Sequence, residues 1–533
     1  MKKRFYGFLI LIFLLTAPAA AWAASPNVSV TLPDFPVQLN GTAVDNTHRA
    51  YPLLVYDGIT YFPMTYHDCR YLGVETDWSE ESGLVIQQSG VSAAYHDYGQ
   101  SARNGRRYQA TLPDFAVTVA GQRIDNGSER YPLLTFRGVT YFPLTWHYAV
   151  EVFGWDYTYD DQNGLSITSS NPHPQPLALK DPFDEGWPYA SLALADDTCY
   201  YRGTDGILWR HDLASGAEKA VFEFPEDSMA GSHALGGISK TARGLEITYH
   251  TGGAVMGTDH HLRLNADGST TQLNHYAYSA DLETADGIKI TILQGPALYT
   301  NTVEVCFPGE DWRSLDLPTG RYGSFTYLGG YTSSNSFHID GHDLYLQASL
   351  DGQPNRICRV DLDTSELTVL SDREARQFVV ASQMIYFSNG NDVYQLPIKG
   401  GTSVKVLTGI APAADMMLTP YEGTQLALVG EQLYAALADT AEGESVSCHL
   451  YRLGSPQPIN GDSAVYSLMA QENYLVCRFQ DSADTAYRAM VLDEAGRIVY
   501  KTSDAITSPS IDQGRLAYLL CENNHGYLVD LGQ

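Results

Sequence analysis

The chain consists largely of short runs of apolar and aromatic residues that are separated by Gly, Asp and Asn. Runs of this kind between turn-forming residues are typical of β-strands. In residues 24–170 they surround a short segment that follows a proline and ends near a glycine, as the two ends of a helix favour. From residue 191 onward the runs are strand-like throughout. We therefore predict a mainly β protein with a small α+β region at its start.

The first region contains one pattern twice. Residues 51–67 read YPLLVYDGITYFPMTYH, and residues 131–147 read YPLLTFRGVTYFPLTWH. After one inserted residue in the second copy, the copies match again at Gly83-Leu84 and Gly164-Leu165. Two copies of one pattern predict two similar folded units.

Each copy predicts the same order of elements. The first strand ends at Asn40-Gly41, a strong hairpin signal because both residues tolerate a positive φ, and the second copy has the weaker Ala120-Gly121 there. A strand pair around Asp57-Gly58 and a short helix follow. A final strand, residues 84–87 or 165–168, is expected to complete its own α+β unit.

The order strand, Asn-Gly turn, strand, G-x-T-Y-F-P, short helix and L-G resembles the N-terminal-like domain family of copper amine oxidases, often called stalk domains. The resemblance covers roughly residues 28–88 and 108–168. It implies tandem stalk modules of the kind found in exported proteins of Gram-positive bacteria. Family members usually carry a basic or apolar residue at the positions of Thr65 and Thr145, so the resemblance transfers no ligand site.

Copper amine oxidases carry their chemistry in a separate catalytic domain with a tyrosine-derived cofactor and three copper-binding histidines. The chain contains no Asn-Tyr-(Asp/Glu) cofactor motif, and no G-x-S-x-G, H-E-x-x-H or phosphate-binding glycine loop. Asp259-His260-His261 looks like a metal site, but neighbouring histidines on a strand point to opposite faces. We therefore predict no catalytic residue, no cofactor and no metal site.

Two histidines are weak candidates for a binding role. His67 and His147 recur at the end of the repeated pattern, each after an aromatic residue. Either could contact a partner or a metal. The alternative is that both lie in the first turn of a helix and pack against their own module. Tyr61, Phe62 and their counterparts in the second copy are interpreted as core aromatics.

The region after the Pro-rich segment 171–176 has a longer period. Paired strands recur about every 41 to 55 residues, which is the period of a four-stranded propeller blade. Eight such units begin near Cys199, Glu246, Lys289, Leu344, Ile385, Leu433, Leu475 and Ala517. We predict a seven- or eight-bladed β-propeller, with residues 176–180 as a candidate closing strand, and an open β-sandwich array as the alternative.

The N-terminus has the form of an export signal. Lys2, Lys3 and Arg4 precede an uncharged apolar run, and Ala21-Trp22-Ala23 follows as a cleavage site. The alternative is an uncleaved membrane anchor, but the run is short for a bilayer. We expect a secreted, extracellular protein with no membrane span after cleavage and a possible association with the cell wall.

The net charge limits the kinds of partner that the chain is expected to bind, and the cysteine spacing indicates the state of its thiols. Lys and Arg total 33 against 62 Asp and Glu, a formal charge of −29, which disfavours nucleic acid. The seven cysteines are widely spaced without a CxxC pair, and they are expected to be mostly buried thiols. The expected partner is a cell-wall component, a glycan or a surface protein.

The predicted organisation is a signal peptide (1–23), stalk module 1 (24–90), a linker (91–107), stalk module 2 (108–170), a Pro-rich linker (171–190) and the propeller (191–533). The leading hypothesis for its function is an exported, non-enzymatic binding or scaffold protein. Stalk modules would attach to the envelope or a partner, and the propeller would present a ligand-binding face. The alternatives are a polysaccharide-acting hydrolase or lyase with its site at the propeller channel, and a structural or regulatory surface protein with protein partners only.

Overall fold

The computed structural model describes residues 27–532, except 187–188, 254–256, 295–299, 324, 328–329, 333–335, 411–423, 443–444, 460, 462 and 481–486. The predicted signal peptide and its cleavage site lie outside the described residues. Within the described residues, no helix is both long enough and apolar enough to cross a membrane. The fold is mainly β, as predicted.

The N-terminal unit, residues 27–170, consists of short strands and two short helical segments, one in each copy. The helical segments are the helix α1 (Tyr66–Tyr71) and a π-helical turn (His147–Val152). The strands of the first copy are β1 (Asn27–Thr31), β2 (Val37–Leu39), β3 (Thr42–Ala43), β4 (Leu54–Tyr56), β5 (Ile59–Pro63), β6 (Val74–Ser79) and β7 (Gly83–Gln88). Those of the second copy are β8 (Arg107–Thr111), β9 (Val117–Val119), β10 (Gln122–Arg123), β11 (Leu134–Phe136), β12 (Val139–Pro143), β13 (Asp156–Asp160) and β14 (Gly164–Thr168).

The two copies are interlocked. Strands of both copies close one barrel in the order β1-β4-β5-β12-β11-β8. The final strand of each copy pairs in parallel with a strand of the other copy, β7 with β9 and β14 with β2. The expectation that each final strand completes its own unit is therefore wrong. The exchange joins both copies around one core, and a larger unit buries a larger fraction of its surface than a small one does.

Aromatic residues of the repeat fill two cores of this unit. Tyr61 and Tyr141 lie fully buried inside the barrel. Phe62 and Phe142 point the other way, because successive strand residues alternate, and they pack in the core that both copies share. The interpretation of these four residues as core aromatics is confirmed.

The inserted residue of the second copy changes its helix. In the first copy, Thr65 caps α1 by accepting a hydrogen bond from the backbone N–H of Asp68. The second copy fits one more residue between Thr145 and Gly154 and forms a π-helical turn instead of an α-helix. A π-helical turn closes its hydrogen bonds over one residue more than an α-helix does, which accommodates the inserted residue.

The remaining chain forms eight consecutive sheets among the described residues, which we call blades 1 to 8. Blade 8 begins with an early strand, β15 (Gln175–Leu177). Blade 1 contains β16 (Leu192–Ala195), β17 (Thr198–Arg202), β18 (Ile207–Asp212) and β19 (Glu218–Glu223), and a hairpin of β20 (Glu226–Asp227) and β21 (Ser232–His233) follows it. Blade 2 contains β22 (Leu235–Thr241), β23 (Gly244–Thr251), β24 (Thr258–Leu264) and β25 (Thr270–Gln272). Blade 3 contains β26 (Ser279–Glu283), β27 (Lys289–Leu293), β28 (Val303–Cys306) and β29 (Arg313–Ser314).

Blade 4 contains β30 (Gly320–Tyr322), β33 (His338–Asp340), β34 (Asp343–Leu350), β35 (Arg356–Asp361) and β36 (Leu367–Val369), with an inserted hairpin of β31 (Phe325–Tyr327) and β32 (Gly330–Thr332). Blade 5 contains β37 (Gln377–Ala381), β38 (Met384–Ser388), β39 (Val393–Pro397) and β40 (Val404–Leu407). Blade 6 contains β41 (Gln425–Val429), β42 (Gln432–Glu442) and β43 (Ser445–Arg452). Blade 7 contains β44 (Val465–Gln471), β45 (Tyr474–Phe479), β46 (Ala489–Asp493) and β47 (Ile498–Thr502), and blade 8 is completed by β48 (Ile506–Asp512), β49 (Arg515–Leu520) and β50 (Gly526–Asp530).

The blades follow one another around a closed ring. The inner strand of blade 1 contacts the inner strands of both blade 2 and blade 8. Strand β15 pairs antiparallel with β50, so residues from before blade 1 supply the outer strand of blade 8. Glutamine side chains join neighbouring blades, as where Gln377 exchanges two hydrogen bonds with the backbone of Leu426. Each blade keeps an inner and an outer edge strand, and in propellers such edges are short and protected.

Candidate functional site

The two candidate histidines lie in different surroundings. The half-buried ring of His67 stacks on His96, with centroids 4.7 Å apart, and lies beside Tyr98. Burial lowers the pKa of His67, and His96 lowers it further. His147 is exposed, and its Nδ1 lies 2.8 Å from Glu151 Oε2. Among the described residues, no group of three or more His, Cys, Asp or Glu side chains is placed to hold a metal ion.

The partners of His67 come from the segment between the two copies, which contains Tyr95-His96-Asp97-Tyr98. Sequence reasoning missed this segment because it lies outside the repeat. The aromatic residues of this segment could have indicated its role, because aromatic side chains in a connecting segment tend to pack against a neighbouring surface. Here they cover α1 and the buried ion pair of Arg49 with Asp68.

The N-terminal unit is joined to blade 7 through the segment that follows β7. Ser92 forms a parallel β-bridge with Thr502. The N–H of Ser92 donates to the carbonyl of Lys501, and the carbonyl of Ser92 accepts from the N–H of Ser503. The N–H of Ala94 donates to Asp504 Oδ2 at 2.7 Å. Burial raises the pKa of Asp504 to about 6, against the opposing effect of that backbone hydrogen bond. The segment predicted as a linker thus begins with residues bound to the propeller.

An open cavity of about 920 Å³ lies at this junction. One wall is formed by residues 88–90 of the N-terminal unit and by residues 170–172 at and just after its end, and the other by β47 and the two residues 531–532 that follow β50. Arg497 projects at its rim and holds Asp493 through two of its nitrogens, the closer one at 2.7 Å. Ile498 exposes an apolar side chain in the wall. Cavities of a few hundred to about 1,000 Å³ between two bodies are common ligand sites.

One mouth of the propeller channel is crossed by charged side chains. Lys240 of blade 2 donates to Glu472 of blade 7 at 2.8 Å and to Asp512 of blade 8. Blades 1 and 8 separate blades 2 and 7 around the ring, so this contact spans the channel. Partial burial of the ammonium group lowers the pKa of Lys240, but the hydrogen bonds and charges of the two carboxylates outweigh this effect. The net result is a raised pKa.

A second polar group lies at the opposite face, beside the start of the inner strands. His250 Nδ1 lies 2.7 Å from Asp259 Oδ1. Burial and the nearby Asp259 raise the pKa of Tyr189 to about 12. His260 stacks on Tyr249, and its Nε2 lies 3.0 Å from Thr251 Oγ1. Adjacent His260 and His261 therefore do not converge, as the strand geometry predicts.

All seven cysteines lie in the described residues as thiols outside disulfide bonds, and five are buried. Burial raises the pKa values of Cys199, Cys358 and Cys448 to about 12. A thiol with a raised pKa carries little thiolate and is a poor nucleophile. The expectation of mostly buried thiols is confirmed.

The fold is similar to solved β-propeller-like proteins. No protein-family model and no curated protein matches the chain. An oligogalacturonate lyase in complex with manganese shares 14% identity over 56% of this chain and 82% of that one, with a TM-score of 0.34. BamB from Moraxella catarrhalis shares 13% identity over 64% and 84% of the two chains, with a TM-score of 0.28. Sqt1 from Saccharomyces cerevisiae shares 11% identity over 67% and 100%, with a TM-score of 0.35. These similarities concern the fold alone.

Proposed function

We propose that the chain is an exported, non-enzymatic binding and scaffold protein of the Gram-positive cell envelope. In this proposal its N-terminal unit is a pair of interlocked stalk modules of the copper amine oxidase N-terminal-like kind. The unit attaches the protein to a cell-wall component, a glycan or a surface protein. The propeller is then held in place and presents a ligand-binding face.

The hydrogen-bonded junction between the N-terminal unit and blade 7 is the observation that carries this proposal. Backbone pairing at Ser92, the Ala94–Asp504 hydrogen bond and the Lys501–Ser89 hydrogen bond connect the N-terminal unit to blade 7. A unit fixed in this way transmits its orientation to the propeller, which a flexible tether would not do. The cavity at the same junction offers a concave surface whose two walls come from the two parts.

The proposal is tested with the mature full chain. It is mixed with purified Gram-positive cell walls and sedimented, and we expect it in the pellet. Soluble wall fragments are then titrated against variants. Ile498→Trp fills the cavity and should weaken fragment binding, whereas Val404→Trp, on the exposed outer strand of blade 5, should leave it unchanged. If the chain stays in the supernatant with walls and binds no wall fragment, the proposal fails.

The His250–Asp259 group favours a second candidate function, a polysaccharide-acting hydrolase or lyase. Asp259 lies beside His250 and close enough to Tyr189 to raise its pKa, so the group contains residue types that serve as acid and base in sugar chemistry. Incubation of the mature chain with polysaccharides, followed by reducing-end or unsaturated-product assays, tests it. Activity that is lost in Asp259→Asn supports this candidate, and activity that survives that substitution contradicts it.

A further inference from the structure

Two exposed aromatic pairs on the N-terminal unit are related by the repeat. Trp78 packs edge-on against Phe115 with centroids 4.7 Å apart, and Tyr159 packs edge-on against Phe35 at 5.2 Å. Each pair takes one ring from each copy, because the final strands are exchanged between the copies. We call Trp78 with Phe115 the first aromatic pair, and Tyr159 with Phe35 the second aromatic pair.

The outer ring of each pair is left uncovered. Trp78 and Tyr159 are each 53% exposed, although large aromatic side chains are mostly buried in folded proteins. The edge-on contact with the half-buried phenylalanine holds each outer ring in one orientation. A ring that is fixed before binding loses little conformational entropy when a ligand stacks on it. The same arrangement twice on one unit indicates a repeated contact.

Carboxylates adjoin both pairs in the sequence. These exposed residues are Asp77, Glu80, Glu81 and Asp114 beside the first aromatic pair, and Asp34, Asp160 and Asp161 beside the second. Hydrogen bonds from Asn163 lower the pKa of Asp160, so its carboxylate stays ionised. Anionic polymers are repelled by such surroundings, whereas hydroxyl, amide and ammonium groups can donate to them.

We propose that the two aromatic pairs are twin binding sites for a neutral or amino-sugar polysaccharide. The flat, electron-rich face of Trp78 or Tyr159 receives the C–H face of a pyranose ring, and the neighbouring carboxylates accept hydrogen bonds from its polar groups. This inference rests on the proposed attachment to the envelope and names the ligand class of that attachment. Two equal sites on one rigid unit favour a long polymer over a short oligomer, because the second contact is intramolecular.

The test uses the mature full chain, Trp78→Ala, Tyr159→Ala, the double variant and Trp146→Ala. Trp146 is 62% exposed on the same unit but lies outside both aromatic pairs, so it is the matched control. The probes are chito-oligosaccharides in calorimetric titration and insoluble chitin in sedimentation. We expect two equal oligosaccharide sites in the unchanged protein and in the control. We expect one site in each single variant and none in the double variant. Affinity for chitin should fall about tenfold or more in each single variant, since avidity is lost.

The outcomes separate the inference from the proposed function. Unchanged stoichiometry in the single variants overturns the inference, as does a protein that sediments with cell walls but binds neither probe. In both cases the attachment to the envelope stands. If Trp146→Ala loses as much binding as the variants of the aromatic pairs do, the inference is also overturned. Any exposed aromatic ring would then contribute equally to binding. A chain that fails to sediment with walls overturns the proposed function itself.

Discussion

The interlocking of the two copies can be tested at one glycine. Gly83 opens β7 with a φ of +71°, and a Cβ at this position would overlap the backbone carbonyl of Ala116 in the other copy. Leu84 N–H donates to that same carbonyl at 2.9 Å. We predict that Gly83→Ala strongly destabilises the N-terminal unit, because the substitution separates β7 from β9.

The size of the effect follows from three terms. A left-handed backbone costs an alanine about 1–2 kcal/mol relative to glycine. Forcing the neighbouring backbone aside adds about 1–3 kcal/mol. Loss of the hydrogen bond between Leu84 and Ala116 adds about 0.5–1.5 kcal/mol. Together these terms give an expected loss in the free energy of unfolding of about 2.5–6.5 kcal/mol.

Gly41 provides the matched control. It has a φ of +80°, but a Cβ there would meet no heavy atom within 4 Å. Gly41→Ala should therefore lose only the backbone term, about 1–2 kcal/mol. Urea denaturation followed by tryptophan fluorescence measures both variants, since Trp155 is buried in the shared core. Equal losses in the two variants would refute the strand exchange, because the carbonyl of Ala116 could then not face Gly83.

Three further substitutions have defined outcomes. Asp504→Asn should stabilise the protein above pH 6, by up to about 3 kcal/mol at 1.36 kcal/mol per pKa unit, because the carboxyl pKa rises from 3.8 to about 6 on folding. The raised pKa means that wild-type stability falls as pH rises through this window, so the two proteins should converge below about pH 4 in urea titrations; a constant difference would contradict this. Arg49→Met leaves the buried Asp68 carboxylate unpaired and should cost about 3–5 kcal/mol in thermal or urea unfolding, with Arg49→Met/Asp68→Leu recovering much of the loss. Ala120→Gly relieves a φ of +48° and should raise the free energy of unfolding by about 1–2 kcal/mol, and an unchanged urea midpoint would show that the turn is not strained.

Local signals in the sequence predicted the elements of the fold well. Glycines and proline mark the turns and the helix start, and they do so through conformational limits that act within a few residues. The pairing partner of a final strand could not be predicted in this way. Residues 84–87 can meet either Val37 or its counterpart Val117, and both offer the same apolar side chain. Because the two copies share the same sequence pattern, local signals do not decide whether a final strand pairs within its own copy or with the other copy. That choice depends on tertiary geometry.

The candidate sites were harder to predict, for a related reason. His67 and His147 end the same pattern, yet one is stacked and half-buried while the other is exposed beside Glu151. The difference arises from His96 and Tyr98, which have no counterpart in the repeat. The junction cavity joins segments from opposite ends of the chain, and no local pattern encodes such a meeting.

Differences between the two copies indicate which features of the N-terminal unit contact the propeller and which belong to the repeated fold. The α1 side of the first copy lies toward the propeller, since the segment that covers the Arg49–Asp68 pair continues directly from Ser92 and Ala94, which are bound to residues 501–504 of blade 7 and of its connection to blade 8. The buried Arg49–Asp68 pair belongs to this side, and the second copy has Glu129 and Tyr148 at the matching positions. Features that occur once therefore serve the junction with the propeller. Features that occur twice, the glycines at the exchanged strands and the two aromatic pairs, serve the interlocked fold and, in our proposal, a ligand that is itself a repeating polymer.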